Sequence, residues 1–123
     1  MGHVFRSVGI SVFLLASLPQ IRSQVELITI EQPFQSQKLA GTVSDASGGS
    51  VMGVFVEDCD RTFKRVYASA WTDENGQFAF RRTKHGRTHY LRISKGGLDP
   101  MHITVQVTPA GDPFVRITLT VAT

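Results

Sequence analysis

The run Thr72-Asp73-Glu74-Asn75-Gly76-Gln77-Phe78-Ala79-Phe80 constrains the fold more than any other part of this chain, because a turn rich in Asp, Asn and Gly opens directly into alternating aromatics. Asn75 tolerates the left-handed backbone conformation and Gly76 adopts it without a Cβ penalty, so the chain is expected to reverse here as a β-hairpin. Phe78 and Phe80 then fall on one face of the outgoing strand, and that face is expected to be core. The stretch from Leu39 to Val56 repeats the pattern: a strand, the turn cluster Asp45-Ala46-Ser47-Gly48-Gly49, and a second strand. These runs specify an architecture and no chemistry.

A chain of 123 residues allows one domain. Residues 1–23 have the form of a secretory signal peptide, with Arg6 ahead of the apolar run Val8 to Leu18, which breaks at Pro19. That run is about half of the roughly 20 residues needed to cross a membrane, so no stable span is expected after cleavage near Ser23. The expected product is exported, either secreted or periplasmic. Without Arg6 and Arg22 it carries 11 Lys plus Arg against 10 Asp plus Glu, a net charge of +1. A nucleic-acid binder needs a clustered positive excess, which this balance does not supply. One local cluster remains in Arg81, Arg82, Lys84 and Arg87, with His85 among them. It is a candidate patch for an anionic partner, weighed against a solvated loop kept soluble by its charge.

Residues 24–37 are either an edge strand, over Val25 to Ile30, or a flexible leader. From Lys38 the alternation is regular. Leu39, Gly41 and Val43 mark a first strand, Val54 and Val56 a second, Val66 to Thr72 a third and Gln77 to Arg82 a fourth. The chain turns again at Lys84-His85-Gly86-Arg87, ahead of strands over His89 to Ile93, Met101 to Val107 and Val115 to Val121. Gly53 is a backbone device, a bulge or a close approach of neighbouring strands. Apolar residues nowhere recur at helical spacing for three turns. The expected fold is all-β, a single antiparallel Greek-key sandwich of about seven strands with Val43, Val54, Val56, Phe78, Phe80, Ile103, Val105, Ile117 and Leu119 buried.

The residues Leu39 to Asp45 with Gly48 and Gly53-Val54, then Thr72 to Phe78, Gly86 with Tyr90, and Lys95-Gly96-Gly97-Leu98 resemble the carboxypeptidase regulatory-like domain family. The resemblance covers residues 38–123 and implies a transthyretin-like, seven-stranded sandwich that is itself non-catalytic. Two departures stand out. Ser50-Val51-Met52 replaces the family's small or proline residue followed by a hydrophobic one, and Arg87-Thr88-His89 separates Gly86 from a tyrosine that the family places almost directly after the glycine.

No catalytic constellation is visible. Cys59 lies between Asp58 and Asp60, whose charge disfavours the thiolate, so a structural role is expected for it. His85, His89 and His102 share no metal-ligand spacing, and Asp73 to Gly76 is a hairpin turn without the twelve-residue calcium pattern. Neither metal nor cofactor is expected. Alternation places Tyr67, Ser69 and Trp71 on one face of their strand and Ala68, Ala70 and Thr72 on the other. An inward alanine face makes Tyr67 and Trp71 an exposed aromatic strip able to stack on a sugar ring, whereas an outward one puts Trp71 in the core. The function expected is a non-catalytic module with a protein-interaction or structural role beside an envelope or extracellular protein, the alternative being a carbohydrate-binding module that uses Tyr67 and Trp71.

Overall fold

In the computed structural model the described residues are 26–81 and 87–121. The expected signal peptide therefore lies outside them, as do Arg82, Lys84, His85 and Gly86. The described residues are all-β, with nine strands: β1 (Ile28–Thr29), β2 (Phe34–Ser36), β3 (Ala40–Asp45), β4 (Phe55–Cys59), β5 (Val66–Trp71), β6 (Gln77–Ala79), β7 (Thr88–Ser94), β8 (Met101–Val107) and β9 (Val115–Leu119). One sheet runs β1-β8-β7-β4-β5, with β2 also paired to β8, and the other runs β6-β3-β9.

Both sheets close on one core. Period-two alternation directs Val54, Val56, Leu91, Ile93, Met101, Ile103 and Val105 inward from the larger sheet, where they meet Leu39, Val43, Phe78, Val115, Ile117 and Leu119 around the smaller one. Full burial of such side chains contributes about 1.5–3 kcal/mol each. Phe80, expected in this core, is only half-buried and packs edge-on against Phe78 with ring centroids 6.2 Å apart. The reason is that β6 ends at Ala79, short of the expected Arg82, so the second aromatic sits at the sheet margin.

The pairing departs from seven antiparallel strands. β1 and β2 both add to β8 in parallel, and β3 pairs with β9 in parallel over Gly41↔Val115 to Asp45↔Leu119. Hairpins force antiparallel pairing only between strands adjacent in the chain, and these partners are about 70 residues apart. The leader segment thus contributes two short strands instead of one.

Three turns repeat a single device. Asp45, Asp60 and Asp73 each accept amide hydrogen bonds through Oδ1, from Ser47 and Gly49, from Thr62 and Lys64, and from Asn75 and Gln77. The residue three after the aspartate takes positive φ in each: Gly48 at 92°, Phe63 at 60° and Gly76 at 72°. The hairpin expected at Asp73 to Gly76 does not form, because β5 pairs with β4 and β6 with β3, so this turn carries the chain from one sheet to the other. Gly76 alone carries the left-handed conformation of the turn, so the part expected of Asn75 is wrong: Phe63 is the one non-glycine with positive φ among the described residues. A turn whose amides are capped by one carboxylate oxygen needs the left-handed conformation at only one residue. Gly41 serves close approach, because a Cβ there would collide with the Val115 carbonyl oxygen and the Phe78 ring. Gly53 holds φ at 77° ahead of β4.

Candidate functional site

β5 is the outermost strand of its sheet, and its alternation sorts the side chains by environment. Ala68 and Ala70 are half-covered and Thr72 is buried, its hydroxyl donating to the Val51 carbonyl at 2.7 Å and accepting the Val54 amide at 2.8 Å. The alanine face is therefore inward. Trp71 is left 64% exposed and Tyr67 41% exposed.

Phe55 shapes this surface, and sequence reasoning missed it. Register pairs Phe55 with Trp71 across β4 and β5, and the two rings lie 4.6 Å apart at 39°. The signal was available: with Val54 and Val56 inward, alternation sends Phe55 outward, although nothing local says which residue of another strand faces it. Beside this pair is a concavity of about 570 Å³ whose lining includes Gly53, Phe55, Trp71, Lys95, Leu98 and Pro100. Trp71 also walls a second hollow of about 440 Å³ with Thr42, Gln77 and Phe114. The indole is a ridge between two depressions. Tyr67 lines neither, being about 13 Å along the strand from Trp71 at roughly 3.3 Å per residue.

The turn after β7 closes the larger concavity. The Leu98 amide donates to the Lys95 carbonyl at 3.1 Å, and Gly97 takes φ of 85° to complete the reversal. Lys95 Nζ reaches back over Gly53, to 3.2 Å from the point a Cβ there would occupy. A side chain at position 53 would displace the ammonium.

Further along the outer face of the larger sheet, the Asp60 turn folds over the strands. Arg92 Nε donates to Glu57 Oε1 at 2.8 Å, and its Nη1 donates to the Phe63 carbonyl at 2.9 Å. The Phe63 ring stacks on His102 with centroids 3.6 Å apart and planes within 8°. Burial, and then the Arg92 charge, hold the His102 imidazole below its ordinary pKa. Cys59 is buried, and burial is the main reason its thiol is pushed above the ordinary value, with Glu57, Asp58 and Asp60 adding to the rise and Arg92 opposing it. The flanking acids were expected to dominate; desolvation does.

On the inward face, Asp58 and His89 form a buried pair, Nδ1 to Oδ2 at 3.0 Å, that the sequence did not reveal. The acidic run Glu57-Asp58 was expected to end its strand but lies within β4, which puts Asp58 in line with Val54 and Val56. His89 and His102 separate, since His89 faces the core and His102 lies on the outer face, and His85 is outside the described residues. Among the described residues no three His, Cys, Asp or Glu side chains gather as a metal site, and no helix is long and apolar enough to cross a membrane. Of the basic cluster, Arg81 and Arg87 are exposed, while Arg82 and Lys84 are outside the described residues.

No protein-family model matches the chain, and no curated protein matches its sequence. Among solved structures it is similar to the 3-chlorocatechol 1,2-dioxygenase of Rhodococcus opacus 1CP, with a TM-score of 0.44 and 16% identity over 95% of this chain and 78% of that one. It is also similar to the chlorocatechol 1,2-dioxygenase of Pseudomonas putida, with a TM-score of 0.41, 12% identity and the same coverage. Likeness at this level assigns no activity.

Proposed function

We propose that this protein is an exported, non-catalytic binding module whose ligand surface is the platform of Trp71 on Phe55, shaped to take the apolar face of a sugar ring. The exposure of Trp71 carries the reading. An indole gains by burial, and here 64% of it stays in water while Phe55 fixes its tilt and a concavity opens beside it. The non-catalytic part is supported by Cys59, which is buried with a raised pKa, and by the Asp58–His89 pair, which is enclosed in the core. In finer detail, we read the two sheets as the transthyretin-like Greek-key sandwich of the carboxypeptidase regulatory-like family. The seven strands β3 to β9 and the paired Asp-to-Gly turns support that reading.

A protein-interaction or structural role beside an envelope or extracellular protein is the second reading, and one observation favours it. β5 is an edge strand with no charge or proline over Val66–Trp71, and uncharged edges accept further strands. Titrating the purified protein with a panel of oligosaccharides, read by Trp71 fluorescence, separates the two. Stacking is expected to shift the emission and protect it from acrylamide. Trp71→Ala is expected to abolish binding at a stability cost of about 1–2 kcal/mol, since only a third of the ring is covered. Unaltered emission and full quenching with every sugar would leave the protein-interaction reading.

A further inference from the structure

The wall opposite Trp71 gives the platform a charge. Lys95 lies in the lining of the larger concavity and makes no ion pair or side-chain hydrogen bond among the described residues. Its neighbours Gly96 and Gly97 form the tip of the turn. Neither amide N–H has a hydrogen-bond partner there, and a Cβ built on either glycine would meet nothing within 4 Å. One ammonium and two unspent amides thus flank an apolar floor of Phe55, Trp71, Leu98 and Pro100. The nearest carboxylate in sequence does not neutralise them. Asp99 turns away, accepting the Glu26 amide through Oδ1 at 3.2 Å and the Thr120 hydroxyl through Oδ2 at 3.3 Å.

We propose that the concavity between Trp71 and the Lys95–Leu98 turn binds an acidic sugar, a pyranose carrying a carboxylate, with its apolar face on the indole and its carboxylate on Lys95 and the glycine amides. This rests on the carbohydrate reading of Trp71 and adds the ligand's charge. The chemistry divides accordingly. Stacking is indifferent to substituents at the ring edge, so the aromatic pair supplies affinity that neutral and acidic sugars share. Discrimination comes from the ammonium, because a charge-assisted hydrogen bond to a carboxylate is roughly twice as strong as a neutral one, and from successive backbone amides that suit an anion. The lysine also closes over Gly53, where a side chain would push the ammonium out of the concavity.

The test uses matched pairs. Oligosaccharides of galacturonate, glucuronate and mannuronate are each titrated calorimetrically beside the corresponding methyl ester, which keeps the ring and removes the charge. At least one acid is expected to bind about tenfold more tightly than its ester, a difference of about 1.4 kcal/mol, and salt is expected to shrink that margin. Lys95→Met is expected to erase the margin while leaving ester affinity unchanged, and Trp71→Ala to remove binding of both. Esters that bind as well as their acids in every pair, or a margin that survives Lys95→Met, overturn the acidic-sugar inference and leave the carbohydrate reading standing. Failure of every acid and every ester overturns both. Unchanged thermal unfolding of Lys95→Met, whose side chain is exposed, excludes misfolding as the cause.

Discussion

Replacing Asp58 by alanine should remove more stability than any surface change in this protein, because it takes the carboxylate from a buried polar pair and leaves a cavity in the core. Asp58 is 2% exposed and His89 1%, and the Nδ1 to Oδ2 contact is 3.0 Å. Oδ1 of Asp58 is already buried without a partner. Asp58→Ala takes away the imidazole's carboxylate partner and opens a cavity between β4 and β7, at an expected cost of about 3–5 kcal/mol. Asp58→Asn keeps the outline and one acceptor for His89 but sets an amide NH₂ where the unpartnered oxygen was, at about 1–3 kcal/mol. Replacing the pair together, as Asp58→Leu with His89→Phe, removes both desolvation penalties and should cost far less than the two single changes summed. Urea unfolding followed by far-ultraviolet circular dichroism gives each value from the shift in midpoint at constant slope. A small domain holds about 5–15 kcal/mol in all, so the alanine variant would sit near its unfolding threshold. An Asp58→Ala protein within about 0.5 kcal/mol of wild type would refute the reasoning, since it would mean that water reaches the site and the pair is not sealed in the core.

Gly76→Ala should destabilise by at least about 2 kcal/mol, measured by thermal unfolding, because φ is 72° there and the new Cβ would lie 2.5 Å from the Val43 carbonyl oxygen. His102 is held below its ordinary pKa, so the unfolded chain binds the proton more readily. Its contribution to stability should be full above pH 6.5 and fall as the pH drops from there through the folded value, a loss that His102→Gln should abolish in unfolding midpoints taken from pH 8 to 4. Export should yield a mature N-terminus near residue 24 by mass spectrometry of extracellular or periplasmic material, and an intact Met1 in the cytoplasm would overturn the signal peptide.

The larger part of the architecture was legible because strands and turns are written locally. Alternation over Met101 to Val107 marks β8 without help from any other segment, and Asp73 with Gly76 specifies a tight turn through one side-chain oxygen and one permissive backbone, although not that the turn crosses between the sheets instead of closing a hairpin. The Asp60 turn was less legible. Phe63 stands where its sister turns have glycine, and its place there is made good by a ring on His102 and a carbonyl on Arg92, both contributed from distant strands.

By itself, then, the sequence determined an all-β chain, the positions of the strand cores and the two faces of β5, since each follows from neighbours within a few residues. Tertiary structure decided which face of β5 meets water, that Phe55 stands beside Trp71, that Asp58 finds His89 across 31 residues, and that β3 lies parallel to β9. The physical reason is that period-two alternation sets sidedness but not register. Register between distant strands is chosen by the packing of the whole core, where slipping by one residue would turn every buried side chain outward.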